Sequence, residues 1–285
     1  MTRVAYLGPE GTNSHEALLI AALAAGIAGE PVSMGTIYDC VMAVQEGTAE
    51  RAFVPIENAL EGSVNATLDA LAVETDDVAI VGEHVHPIHT CLIAKEPLAL
   101  DAVTAVVSHP QSIGQCAHFL RTRLPQAAVL AASSTAEAVR RVAEDGGTAA
   151  ALGSRTAAEL YGCEVLCADV DDAAGNETRF VWLARRGGTA PPDGPGPWKT
   201  AVVFWGVGAE APGWLVRCLS EFAFRGVNLT RIESRPRKQG LGRYMFFIDL
   251  EGRAEAGAVA EALEALRAHV EHLRVLGSYS VAPAA

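Results

Sequence analysis

Arg185-Arg186-Gly187-Gly188-Thr189-Ala190-Pro191-Pro192-Asp193-Gly194-Pro195-Gly196-Pro197 is the stretch on which the reading of the fold turns. It is dense in glycine and proline and carries no periodic apolar residues, so it predicts no regular element. We read residues 185–198 as a linker between two differently patterned parts of the chain. Downstream, the pattern predicts a strand at 199–207, a helix at 213–224, a strand at 228–235, a strand at 244–250, a helix at 254–269 and a strand at 273–280. The order βαββαβ over residues 199–280 is the ferredoxin-like plan. A turn at Lys238-Gln239-Gly240-Leu241-Gly242 and the alternation in Arg243-Tyr244-Met245-Phe246-Phe247-Ile248-Asp249 support its central hairpin.

Upstream, strands predicted at 4–7, 31–34 and 51–56 alternate with helices at 14–27, 37–46 and 64–72. The alternation resumes with strands at 103–107, 127–131 and 149–152 and helices at 113–121, 136–144 and 155–161. This is the signature of α/β layers with parallel strands, here in two lobes. The first lobe is expected to cover about 1–80 and 175–184 and the second about 81–174, within one catalytic part spanning 1–184. Residues 79–86 and 88–95 read as connecting strands, and 178–184 as an apolar strand returning to the first lobe. A chain that crosses twice between lobes encloses a hinged cleft.

At 285 residues the chain is long enough for two domains, each with its own core, given about 100–200 residues per domain. Its net charge of −12 repels nucleic acid and anionic membranes, so neither is an expected partner. The start of the sequence turns to Gly8-Pro9 too early for a signal peptide, and no apolar run reaches the ~20 residues of a membrane helix, so the expected location is the cytoplasm. Six scattered cysteines with no CxxC pair indicate buried thiols. His84, His86 and His89 have no acidic or cysteine partner at ligand spacing, so no metal site is expected.

Several predicted strands end in small polar loops that open helices: Gly8 to Ser14 with Thr12, Glu57-Asn58-Ala59, Ser108-His109-Pro110-Gln111, Ser133-Ser134-Thr135 and Gly153-Ser154-Arg155. Ligands of open α/β sheets bind where such loops converge, and free N–H groups at helix starts favour anions. The same hydroxyls also cap helices, and both readings stand for each of them. Gly8-Pro9-Glu10-Gly11 lacks the spacing of a nucleotide loop.

Three segments are more specific. Pro55-Ile56-Glu57-Asn58-Ala59-Leu60-Glu61-Gly62-Ser63-Val64, Ser108-His109-Pro110-Gln111-Ser112-Ile113-Gly114-Gln115-Cys116 and Asn176-Glu177-Thr178-Arg179-Phe180 resemble the signatures of the prephenate dehydratase family. The opening from Tyr6 to Ala17 is similar to the family's start, with Asn13 where an aromatic residue is commoner, and the resemblance extends over essentially the whole chain. Beyond the linker, Gly213-Trp214-Leu215 and Glu233-Ser234-Arg235-Pro236 resemble the phenylalanine-binding motifs of the family's ACT domain, with Trp214 in place of the usual alanine.

The resemblance implies a two-lobed, periplasmic-binding-protein-like (type II) catalytic part and an ACT regulatory domain. It implies loss of carbon dioxide and water from prephenate to give phenylpyruvate, with no cofactor. Thr178 is then the catalytic hydroxyl, and Glu57, Asn58, Ser108, Gln115, Arg179 and Thr12 bind substrate, Arg179 as a carboxylate partner. Gln115 is read as lying about two helical turns beyond Ser108. Gly213, Trp214, Leu215, Asn228, Glu233, Ser234, Arg235 and Pro236 are the expected effector residues. Phenylalanine is the expected effector, bound between ACT domains of a homodimer or homotetramer. Arogenate dehydratase and a non-catalytic amino-acid sensor are the alternatives.

Overall fold

The computed structural model describes residues 2–187, 197–206, 208 and 211–281. Residues 188–196 of the expected linker, and Val207 at the expected end of the next strand, lie outside the described residues.

In the first lobe β1 (Thr2–Leu7), β2 (Gly29–Met34) and β3 (Arg51–Asn58) run parallel in the order β2-β1-β3. Helices α1 (Asn13–Ala24) and α2 (Ile37–Gln45) make the crossings, and the hydroxyls of Thr12 and Thr36 start them by accepting the N–H groups of His15 and Asp39. A short β4 (Gly62–Ser63) folds back on β3 before α3 (Asn65–Asp69). The sheet is completed by β5 (Val78–Pro87) and by the late strand β11 (Glu177–Arg185), which runs antiparallel between β3 and β5. The first sheet therefore continues to Pro87 instead of ending near residue 80, because β5 keeps its ladder with β11 as far as the Glu177–Pro87 pair.

The second lobe begins at β6 (Cys91–Ala94) and holds β7 (Ala105–Ser108), β8 (Ala128–Ala131), β9 (Ala149–Gly153) and β10 (Glu164–Cys167), in the order β10-β6-β9-β7-β8. Its helices are α4 (Pro110–Gln115), α5 (Ala117–Arg123), α6 (Thr135–Asp145) and α7 (Arg155–Tyr161). The helix expected at 113–121 is broken at Cys116, because the carboxylate of Asp172 takes the N–H groups of His118 and Phe119 at 2.7 and 3.0 Å and starts a new helix there. Each lobe thus has three parallel strands with the first in the middle, flanked by an antiparallel strand, which is the type II two-lobed plan.

The third unit follows the βαββαβ order: β12 (Trp198–Trp205), α8 (Trp214–Ala223), β13 (Leu229–Pro236), β14 (Tyr244–Glu251), α9 (Gly257–Arg267) and β15 (His272–Ser280). The sheet order is β13-β14-β12-β15, antiparallel throughout. Side chains on one face, such as Val202, Phe204 and Ile248, pack on the two helices. Those on the other face, among them Val203, Phe247 and Leu276, join Val54, Leu71, Ile80 and Val181 of the first lobe in one buried cluster. The third sheet is consequently docked on the back of the first lobe.

Gly277 of β15 shows how close that docking is: a Cβ built there would lie 2.0 Å from the backbone oxygen of Ile80. Gly277→Ala is expected to cost about 1–3 kcal/mol by forcing the two backbones apart, read as a lower denaturant midpoint in equilibrium unfolding. An unchanged midpoint would show that the two sheets separate freely at this point.

Candidate active site

A cavity of about 730 Å³ opens where the carboxyl ends of β1, β2 and β3 face the ends of β7 and β8. Its walls include Thr12, Asn58, Gln115, Asn176, Thr178 and Phe180. Among the described residues its lining holds no arginine or lysine. Its donors are hydroxyls, side-chain amides and the helix starts of α1 at Asn13 and α6 at Thr135.

The centre is the cross-strand pair Asn58 and Thr178, which face each other on β3 and β11. The Asn58 Oδ1 accepts the N–H groups of Leu60 and Glu61, both at 3.0 Å. That orientation is compulsory, since two donors cannot be met by an NH₂ group. Its Nδ2 must therefore point the other way, where it donates to Thr178 Oγ1 at 2.9 Å and to Asn176 Oδ1 at 2.9 Å. With its oxygen accepting from Asn58, the nearly buried Thr178 hydroxyl keeps its own proton for a group in the cleft. Asn176 donates in turn to Gln115 Oε1 at 3.5 Å, and Gln115 donates to Glu61 at 3.3 Å, so a line of amides bridges the two lobes.

Strand geometry separates the other motif residues. Successive side chains of a strand point to opposite faces, so Glu57 and Arg179, also paired across the ladder, turn away from the cleft. Arg179 donates to Glu83 at 2.7 Å, Asp249 at 2.6 Å, the Tyr279 hydroxyl at 2.6 Å and Glu57 at 3.3 Å. Burial opposes its charge, but Tyr279, Asp249 and Glu83 outweigh that and raise its pKa. The expected role of Arg179 as a substrate-carboxylate partner is corrected accordingly: its donors are spent behind the sheet. Glu57 likewise is absent from the cavity wall.

Ser108 is fully buried at the end of β7 and donates to the Leu152 carbonyl at 2.8 Å, outside the cavity lining. It is on a strand, so the spacing to Gln115 is not two turns of one helix. His109, its neighbour, lines the cavity and caps α4. Thr12 caps α1 and also lines the cavity. Asn176 was quoted in the motif without a role, and its polar side chain just before an apolar strand was the available signal. Ser112, from the second motif, also lines the cavity, as does Ser33, which had no sequence signal. His84 and His86 stand on the cleft side of β5 beside Phe53 and each other.

Against this geometry the comparisons with known proteins are decisive. The family model described as "Prephenate dehydratase" matches residues 4–188, and the one described as "ACT domain" matches residues 209–268. The chain belongs to the prephenate dehydratase family. The prephenate dehydratase of Amycolatopsis methanolica is 39% identical over 280 residues, covering 98% of this chain and 89% of the relative. A crystal structure of prephenate dehydratase in complex with L-Phe from Arthrobacter aurescens is 36% identical with TM-score 0.87, covering 98% of this chain and 90% of that one. A solved structure described as "GqqA- a novel type of quorum quenching acylases" is 31% identical with TM-score 0.85, covering 99% of this chain and 98% of that one.

In the ACT domain the expected effector residues divide in the same way. Trp214 is buried among Phe204 and Phe246, and its indole N–H donates to the His269 carbonyl at 2.8 Å, so its side chain is part of the domain core. Glu233 accepts from Ser63 at 3.0 Å and Arg235 holds Asp69 with two bonds of 3.2 and 2.9 Å, both facing the first lobe. Asn228 is bonded to Glu251 at 3.0 Å. Gly213, Leu215, Ser234 and Pro236 are left on the outer side, Ser234 opposite Phe246, on which Trp214 packs.

Asn58→Asp tests the orientation argument. A carboxylate cannot donate to Thr178 and would capture the hydroxyl proton, so kcat is expected to fall on the order of 100-fold or more, measured by steady-state kinetics; a loss under threefold would refute it. A second expectation concerns His86, whose pKa burial lowers to about 4, with His84 and His89 adding to the effect. Below the ordinary value of 6.5 the unfolded chain binds a proton that the folded chain refuses until near 4, so stability falls as pH drops through this window. His86→Gln should flatten the pH dependence of unfolding between those limits by roughly 1 kcal/mol per pH unit, measured by denaturant titration at several pH values.

Proposed function

We propose that the protein is a prephenate dehydratase that forms phenylpyruvate from prephenate and is regulated by phenylalanine through its ACT domain, in the cytoplasm. The single observation that carries the mechanism is the fixed orientation of Asn58, which leaves the Thr178 O–H free to donate into the cleft.

In prephenate the ring carbon bearing the carboxylate lies across the ring from the carbon bearing the hydroxyl. The bond to the carboxylate breaks and its electron pair enters the ring, while the C–O bond opposite breaks and takes a pair out. The ring becomes aromatic, and the departing oxygen takes up one proton to leave as water. Thr178 hydrogen-bonds that oxygen as negative charge builds on it. A threonine hydroxyl is too weak an acid to own the transferred proton, so Thr178 positions and relays. The Asn58 N–H bonded to its oxygen makes the hydroxyl a better donor. The two carboxylates of the substrate meet helix starts, hydroxyls and amides, because the described lining offers no arginine or lysine.

Phenylalanine binding is carried over from the Arthrobacter aurescens relative solved with L-Phe. We place it between ACT domains of two subunits in a homodimer or homotetramer, where it shifts the population toward a less active cleft. The acylase reading suggested by the 31%-identical neighbour requires an activated nucleophile. Among the described residues the cleft hydroxyls of Thr12, Ser133 and Thr178 are bonded to the Pro9 carbonyl, Glu137 and Asn58, and not to an imidazole.

The test is phenylpyruvate formation by the purified full chain, with and without phenylalanine, with arogenate and an N-acyl amide as competing substrates. Prephenate turnover suppressed by phenylalanine is the expected result, and preference for arogenate or hydrolysis of the amide would replace the reading. Thr178→Ala should lower kcat on the order of 100- to 1,000-fold with little change in KM, while Thr178→Ser keeps more activity. Near wild-type kcat in Thr178→Ala would remove the hydroxyl from the mechanism.

A further inference from the structure

The residues directly behind the catalytic pair are joined to the ACT sheet by a buried polar network that the chemistry itself does not use. Asp249 on β14 is fully buried, and its Oδ2 accepts from Arg179 at 2.6 Å and from Arg231 at 3.1 Å. Tyr279 on β15, also buried, accepts from the other end of the Arg179 guanidinium at 2.6 Å. Arg231 continues to Ser63 at 3.3 Å, and Ser63 donates to Glu233 at 3.0 Å. On the lobe side Glu83 takes Arg179 and both of its oxygens accept from Lys199 of β12 at 2.9 Å.

The register makes this network an extension of the site. Thr178 pairs with Asn58 and Arg179 with Glu57 in consecutive rungs of the β3–β11 ladder, and Glu57 also pairs with Ser63 of β4. One peptide unit separates the cleft hydroxyl from the guanidinium, so a displacement of the Arg179 head group is levered to Thr178 on the opposite face. The ladder shifts register between Arg179 and Phe180, so the rungs of Thr178 and Arg179 are set apart from the regular ladder that follows. Four of the five guanidinium N–H bonds are committed, two of them to ACT residues; withdrawal of Tyr279 would leave a buried N–H unmet, and withdrawal of Asp249 would take away one of the counter-ions of a buried charge.

We propose that Asp249 and Tyr279 are positioning residues for the dehydration, setting Thr178 through Arg179, and that this network is the route by which the effector state of the ACT domain reaches the cleft. The proposal rests on the reading of Thr178 as the catalytic hydroxyl. It gives the second residue of the Thr178-Arg179 pair its purpose: the arginine serves the substrate indirectly, from the far side of the sheet.

The experiment uses the full chain with Tyr279→Phe, which deletes a single oxygen, and Asp249→Asn as the stronger variant. Steady-state kinetics on prephenate, calorimetry with phenylalanine, and hydrogen exchange of the segments 56–59 and 177–180 are measured on each. For Tyr279→Phe the expected result is a fall in kcat of about tenfold or more with KM within about twofold, and inhibition by phenylalanine reduced by a similar factor while its binding constant stays within about threefold. The change in exchange of 177–180 on adding phenylalanine should shrink in the same variant. Wild-type kcat together with wild-type inhibition in both variants would overturn the proposal, as would an effector-induced exchange change identical to that of the unmodified protein. Were prephenate not the substrate, turnover would be missing from the unmodified protein as well, and the exchange comparison would still decide the coupling.

Discussion

The guanidinium of Arg179 lies between Glu83 of the first lobe and Asp249 of the ACT sheet, with Tyr279 closing its third side. Ion pairs buried this deeply contribute little net stability, since desolvating the partners offsets most of the attraction. Their strength lies in what they forbid. Removing one partner leaves the remaining buried charges under-compensated, so the two sheets have one fully satisfied arrangement and any other carries a penalty. Burial alone would push the Asp249 carboxyl up, yet Arg179 and Arg231 hold it below its ordinary value. The apolar cluster shared by Val203, Phe247, Ile80 and Val181 supplies the area that holds the domains together, and the polar network fixes their register within it.

That constraint shapes the cleft on the other side of the same sheet. With Arg179 committed behind, the described cavity wall is built from neutral donors: the hydroxyl of Thr178, the amides of Asn58, Asn176 and Gln115, and the starts of α1 and α6. In the proposed reading such a site takes the substrate dianion without a strong fixed cation, which suits a reaction in which one carboxylate must give up its electron pair. A guanidinium paired tightly with that carboxylate would stabilise it in the ground state and slow its departure. In the proposed reading the charge that forms on the departing oxygen is met by the Thr178 hydroxyl, whose oxygen is already engaged by the oriented amide of Asn58.

Much of the fold was legible in the sequence because its elements are set locally. The alternating strands and helices of the first 184 residues and the βαββαβ order at the C-terminal end follow from periodicity and turn chemistry. What periodicity could not supply was long-range pairing. The extension of the first sheet to Pro87 depends on β11, nearly 90 residues later, and the break at Cys116 depends on the distant carboxylate of Asp172. The docking of the ACT sheet was invisible for the same reason, since its faces look alike in sequence: Val202 and Val203 are neighbours and pack in different cores. Trp214 was read from a motif, yet its indole is consumed by Phe204, Phe246 and the His269 carbonyl.

Glu57 and Arg179, which turn away from the cleft, do so for one cause. Glu57-Asn58 and Thr178-Arg179 each read as a functional unit along the chain, but both pairs lie in extended strands, where adjacent side chains stand on opposite faces. A polar dipeptide in the middle of a sheet therefore has two addresses. Because the strands pair in register, Asn58 with Thr178 and Glu57 with Arg179, the two motifs sort into one pair for the cleft and one for the domain interface. Adjacent polar residues here mark a point where catalysis and domain docking share a single peptide unit, and Ser234 and Arg235, on opposite faces of β13, repeat the arrangement on the ACT side.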